Sequence, residues 1–368
     1  MTKQTYAPGT HPDLPPPDDT VGPIHWLKAN LFSSPVNSVV TLVALYLLYL
    51  ALPSAINWLF IDATYVGETR KDCAPDGACL AFIGERFNLF VYGFYPAELR
   101  WRVNLAAILL VVSGAAVLWE NMPARKHMMK FAVVYPLVGA WLLSGGIFGL
   151  EYVGTHLFGG LMLTLTIGVT GIVFSLPIGI LLALGRQSNL PIIKYFCIGF
   201  IEFIRGVPLI TLLFVASTML SYFLPPGTSF DLLLRVLIMV TLFASAYMAE
   251  VIRGGLQGLP KGQLEAADSL GLNYGQAMRL IILPQALKIS IPGIVNTFIG
   301  LYKDSTLVIV IGLLDPLGIG RASVADTAWL GLSTEVYLFV AIFFFISCFG
   351  MARYSLYLEN KLNTGHKR

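Results

Sequence analysis

Few residues in this chain are equipped for chemistry, and most of those are charges set in apolar sequence. Glu202 and Arg205 stand three apart in one apolar stretch, followed at once by Gly206-Val207-Pro208. Lys303 and Asp304 are neighbours in another, and Glu250 directly follows a third. Charges in such places mark solute or ion pathways, because hydrocarbon penalises them unless they face a cavity or a partner. A zwitterion needs one anionic and one cationic pole. Arg205 against a carboxylate and Glu202 against an ammonium group would supply both. Equally, the two pair with each other as an i,i+3 couple, or with Lys303 and Asp304. The break at Gly206, Val207 and Pro208 frees backbone groups that can face a cavity. Lys303 and Asp304, being adjacent, point to different sides of their helix, which suits gating or helix-fixing roles.

Other chemistries lack their residues. The five histidines (His11, His25, His127, His156 and His366) lie in tails or loops without metal-ligand spacing. No Ser-His-Asp or Cys-His grouping stands out, so we assign no catalytic residue and no metal site. The stretch from Gly300 to Thr306 comes near a phosphate-binding loop but lacks its second glycine. Cys197 and Cys348 sit in apolar runs and read as small packing residues. Cys73 and Cys79 share one polar loop, where they form a disulfide in an oxidising compartment or remain two thiols.

The elements that must hold these residues follow from composition. Apolar residues make up 56% of the 368 and charged ones 12%, where a soluble domain carries roughly 25%. Mean hydropathy is +0.73. Lipid is therefore the solvent, and spans must pair their backbone internally as helices or closed barrels. The apolar runs reach helix length, roughly 17–25 residues, rather than the roughly 10 of barrel strands. The expectation is an all-α membrane protein of about eight helices. The spans run near 36–60, 103–119, 131–150, 157–184, 192–224 (broken at Arg205 to Pro208), 232–249, 286–314 and 336–356. Residues 1–35 are proline-rich and polar, without an apolar signal segment, and read as a disordered tail. Residues 61–100 read as a polar loop.

Lys and Arg gather in 120–130, after span four, in 250–288 and at the C-terminus, which places those segments and both termini inside the cell. The loop with Cys73 and Cys79 then lies outside. Spans one to three carry almost no embedded charge. Residues 36–150 therefore read as a three-helix extension and 151–368 as the working core. Between spans six and seven, residues 250–284 form a long polar excursion. Gln263 to Leu270 reads as a short helix ended by Gly271, Leu272 to Leu283 as a second helix, and Pro284 as a bend. Leu259, Leu264, Ala267 and Leu270 form an apolar stripe, and an exposed stripe on a charged loop implies docking to a partner.

This loop carries a specific resemblance. Glu265-Ala266-Ala267, Gly271 four residues on, nine residues, then Ile281-x-Leu283-Pro284, is similar to the EAA signature of ABC-importer permeases at every fixed position. Ala246 to Gly255, Phe203-Ile204-Arg205-Gly206-Val207-Pro208-Leu209 and Lys303-Asp304-Ser305-Thr306-Leu307 resemble segments of polar amino-acid permeases of the histidine/glutamine type. Val207 replaces the usual Thr there, and Ser305 and Thr306 are exchanged. The extra N-terminal spans and the cysteine-bearing loop look like the longer permease of general L-amino-acid (Aap/Bzt) importers. The resemblance implies a type I importer core of five helices plus three N-terminal helices in the bacterial inner membrane. The excursion would be the coupling helix, with Glu265 contacting a separate cytoplasmic ATPase and Gly271 permitting the turn. It implies a related permease as homo- or heterodimer partner, two ATPase subunits holding ATP and Mg, and a periplasmic amino-acid-binding protein. It implies no cofactor on this chain and no nucleic-acid partner. The competing reading, a stand-alone secondary transporter or channel for small polar solutes, would show repeated halves with paired broken helices. The sequence shows no such repeat.

Overall fold

The computed structural model describes residues 22–119, 121–219, 222, 225, 230–260 and 262–362. Among them the chain is helical, with one isolated β-bridge and no named strand. It divides into two compact units, Met1–Tyr65 with Lys71–Cys79, and Val66–Arg70 with Leu80–Arg368.

In the smaller unit, α1 (Pro23–Asn30) precedes α2 (Pro35–Ile56). The disordered-tail reading of residues 1–35 thus fails from Pro23 onward; residues 1–21 lie outside the described ones. Each helix starts on a proline whose fixed φ suits a first turn. The Ser34 Oγ accepts from the Asn37 N–H at 3.1 Å and caps α2. No residue of α2 is buried, as suits a lipid-facing span. Beyond it a loop folds back on itself. Thr64 N–H donates to the Ala78 carbonyl at 2.9 Å, and Cys73 and Cys79 are joined as a disulfide.

The larger unit begins with α3 (Ala81–Tyr92), so the polar-loop reading of residues 61–100 is corrected there. Its polarity conceals the helix: Glu85 and Asn88 are exposed, and Arg86 stands at i+4 from Phe82 and i−4 from Phe90, a charge within the buried face itself. α4 (Arg100–Leu118) and α5 (Arg125–Ser144) pair as a hairpin. Then come α6 (Gly160–Arg186), α7 (Pro191–Gly206), α8 (Leu209–Phe214) and α9 (Leu232–Gln257). After α10 (Gly262–Ser269) and α11 (Tyr274–Ala277) follow α12 (Leu283–Asp304), α13 (Pro316–Ser323) and α14 (Ser333–Leu362). By length and apolar composition seven described helices can cross a membrane, and α7 with the helical run from Leu209 to Met219 makes an eighth, bent by 101°.

The bend has a local cause. Val207 precedes a proline and is extended at φ −108°, ψ 133°, because the proline ring disfavours a helical residue before it. α6 and α9 form the central packed pair, with α12 against α9 and α14 against α12. Gly293 lets α12 approach α9, since a Cβ there would meet Val251 Cγ1 at 2.7 Å. At the end opposite the α6–α7 turn, α3 is locked to α14 and to the segment before it. Phe82 packs on Trp329 with ring centroids 5.5 Å apart, and Phe90 on Phe339 at 4.9 Å. Arg86 pairs with Asp326 at 2.6 Å. Spans α4 and α5 therefore belong to the same compact unit as α6 to α14, whereas a division at residue 150 would separate them.

Candidate functional site

Three arrangements carry the chemistry, and all lie in the larger unit. The first is the excursion after α9. That helix continues past Glu250 to Gln257, so Glu250 and Arg253 are helical, and the loop expected over 250–284 starts only at Gly258. Gly254 and Gly255 do not end the helix; Gly255 is buried against α12, where a Cβ would meet Ser290 Oγ and the Ala286 carbonyl, so it serves close packing inside α9. α10 ends in a Schellman turn. Leu272 N–H donates to the Ala267 carbonyl at 3.2 Å and Gly271 N–H to the Asp268 carbonyl at 2.9 Å, with Gly271 at φ +73°. Asn273 and Gln276 then form a reciprocal capping box that starts α11. Pro284 makes no bend. It lies inside a helical run that continues from Tyr274 to Ile311, directly after the π-helical turn Met278–Ile282, where the ladder is already irregular.

This framework sorts the signature residues. Glu265 and Ala266 project outward from α10. Ala267 is fully buried, so the expected apolar stripe loses one member to the interior, while Leu264 and Leu270 remain exposed. Ile281 and Leu283 are half-buried and Pro284 is exposed. Gln285 Nε2 donates to Gln263 Oε1 at 3.3 Å and ties α12 to α10. Lys261 lies outside the described residues.

The second arrangement is an ionic cluster at the end of α6. Glu250 accepts from Arg186 Nη1 at 2.7 Å and from Arg253 Nη2 at 2.7 Å, with Arg205 Nη1 at 3.7 Å. Arg186 also bonds Glu202 at 2.9 Å. Neither pairing expected for Glu202 and Arg205 is formed: they pair not with each other and not with Lys303 or Asp304. Their i,i+3 offset puts them on one face, but the end of α6 offers Arg186 to Glu202 and α9 offers Glu250 to Arg205. Arg253, at i+3 from Glu250, was visible as a partner by spacing. Arg186 was not, since its partners lie 16 and 64 residues away. Gly206 and Pro208 form the bend itself and are exposed.

The third is an open cleft of about 530 Å³ between α9 and α12. Phe243, Tyr247, Asn296, Thr297 and Asp304 line it, and Asp304 is its one charged lining residue. Lys303 points away and is exposed. The Asp304 carboxylate has no hydrogen-bond or ion-pair partner among the described residues. Tyr247 joins this cleft to the ionic cluster, because Arg205 lies 5.5 Å from its ring centroid. A small crevice of about 60 Å³ between α4, α5 and α6 is lined by apolar residues such as Val103, Leu110 and Met162 and carries no charge.

Residues 175–364, from mid-α6 through α14, match the model of a binding-protein-dependent transport system inner membrane component. The chain belongs to that family. Within it, this permease is similar over nearly its whole length to two curated proteins. One is the inner membrane amino-acid ABC transporter permease protein YhdY of Escherichia coli K12, 52% identical over 99% of each chain. The other is the glutamate/glutamine/aspartate/asparagine transport system permease protein BztC of Rhodobacter capsulatus, 46% identical over 96% of each. Among solved structures, a crystal structure of an amino acid ABC transporter with histidines matches at 31% identity and a TM-score of 0.49, covering 55% of this chain and 92% of that one.

Proposed function

We propose that this permease is the membrane subunit of an ATP-driven importer that carries L-amino acids across the bacterial inner membrane. The carrying observation is α10. It is a short helix fixed at its C-terminal end by a Schellman turn, and it presents Glu265 and Ala266 outward while Ala267 anchors it inward. An exposed carboxylate on a rigidly framed helix suits charge-assisted contact with a partner. The partner is a pair of cytoplasmic ATPase subunits that hold ATP and Mg. Ile281, Leu283 and Pro284 lie where the loop enters α12, so a push on α10 passes into the wall of the cleft.

Eight crossings put both termini and α10 on the cytoplasmic side, in line with the Lys and Arg bias. The disulfide loop and α3 then face the periplasm, where a solute-binding protein delivers substrate. A related permease completes the dimer. The α9–α12 cleft is the solute path through this subunit, with Asp304 as the pole for a substrate ammonium group. Amino acids as the cargo follow from the names of the two full-length relatives and from this carboxylate in the cleft wall.

The test is the assembled importer in proteoliposomes. Glu265→Ala is expected to leave ATP hydrolysis in place and abolish uptake. Normal uptake by that variant, or ion-driven uptake by this chain alone, overturns the reading.

A further inference from the structure

The charges at the α6–α7–α9 junction do not balance. Arg186, Arg205 and Arg253 surround Glu202 and Glu250, which leaves one guanidinium in surplus. The distances say which one. Arg253 grips Glu250 Oε2 through Nε at 2.9 Å and Nη2 at 2.7 Å, and Arg186 holds Oε1 at 2.7 Å. Arg205 stands off at 3.7 Å. Without it, two arginines and two glutamates remain, a neutral set in which Glu250 still accepts from both neighbours. Arg205 is therefore the member that can leave at least cost.

It also has somewhere to go. Its guanidinium lies over Tyr247, and Tyr247 forms part of the cleft lined by the Asp304 carboxylate. Arg205 lies in the last turn of α7, one residue before its end at Gly206, and the helix is not continuous with α8. An anionic pole and a movable cationic pole thus flank one cleft, the charge pattern of a zwitterion.

We propose that Arg205 is a shared cation: it rests on Glu250 in this structure and turns across Tyr247 to the carboxylate of an α-amino acid whose ammonium group Asp304 holds. Substrate then competes with Glu250, and α7 loosens from α9 whenever the cleft fills. Since Arg253 bonds Gln257 at 2.8 Å in the last turn of α9, the same cluster reaches the start of the coupling excursion. The inference rests on the cleft being the solute path.

The experiment uses the complete importer in lipid nanodiscs and follows stimulation of ATP hydrolysis by L-glutamine and by L-glutaminamide, in which a neutral amide replaces the carboxylate. The unaltered protein is expected to need less glutamine than amide. Arg205→Gln should raise the half-saturating glutamine concentration about tenfold, equivalent to about 1.4 kcal/mol, and erase the preference over the amide. Arg205→Lys keeps the charge and should keep the preference. Glu250→Gln removes the competitor and should lower the half-saturating concentration about threefold. A preference that survives Arg205→Gln, or a Glu250→Gln protein that needs more glutamine, overturns the proposal. Asp304→Asn separates the two readings. If it weakens both ligands equally while Arg205→Gln leaves the preference intact, the cleft stands and the shared cation falls. If it changes neither, the cleft itself is not the path.

Discussion

Gly271 offers a graded probe of coupling. Its φ of +73° is left-handed, and an ideal Cβ placed there meets nothing within 4 Å. Substitution therefore costs backbone conformation and no steric clash. A left-handed L-residue costs about 1–2 kcal/mol, less for Asn, whose side chain bonds locally, and more for a β-branched residue. At 1.4 kcal/mol per factor of ten, Gly271→Ala should lower the ratio of docked to undocked α10 about tenfold. The two bonds at stake are Leu272 N–H to Ala267 and Gly271 N–H to Asp268. Nothing else in the fold depends on them, so the protein should insert and assemble normally. The assay is solute imported per ATP hydrolysed in proteoliposomes, with the expected order Gly, Asn, Ala, Val. A Gly271→Val importer that couples like the parent refutes the reasoning. So does an Asn variant as poor as Val, since the defect would then not follow left-handed propensity.

Three further outcomes follow from packing and charge. Phe82→Ala removes a ring with no exposed surface from the Trp329 contact and should cost about 3–5 kcal/mol, seen as a lower melting temperature and protease cleavage within α3. Gly293→Ala forces α12 away from Val251 and should cost about 1–3 kcal/mol by overpacking, with reduced uptake as the second readout. Asp315 lies outside the spans and is fully buried at the start of α13; burial pushes its carboxyl up from 3.8 to about 6, although the Gly318 N–H bonds Oδ1. Its folded pKa exceeds the unfolded one, so the folded state retains the proton and stability falls as pH rises from about 4 to about 6. Asp315→Asn should remove that slope. Melting temperatures of the two proteins that run parallel across the window contradict the assignment.

Some of this was written in the chain itself. A 12% share of charged residues places the chain in lipid, where only helices or closed barrels satisfy the backbone, and runs of helix length choose the bundle. The break in span five was local, set by Val207 before Pro208, and so was the turn at Gly271, because conformational preferences act on neighbours along the chain. The spacing from Glu265 to Pro284 likewise needed no fold to be read. Tertiary structure decided what distance along the chain conceals. Glu202 and Arg205 looked like each other's partners until the end of α6 brought Arg186 to the first and α9 brought Glu250 to the second. Asp304 and Lys303 were equal candidates until packing turned one into the cleft and the other out. Ala267 lay on the docking stripe until α11 covered it, and α3 hid in a loop until Trp329 covered its apolar face. Each outcome depends on which surfaces meet, and a single helix cannot encode its neighbour.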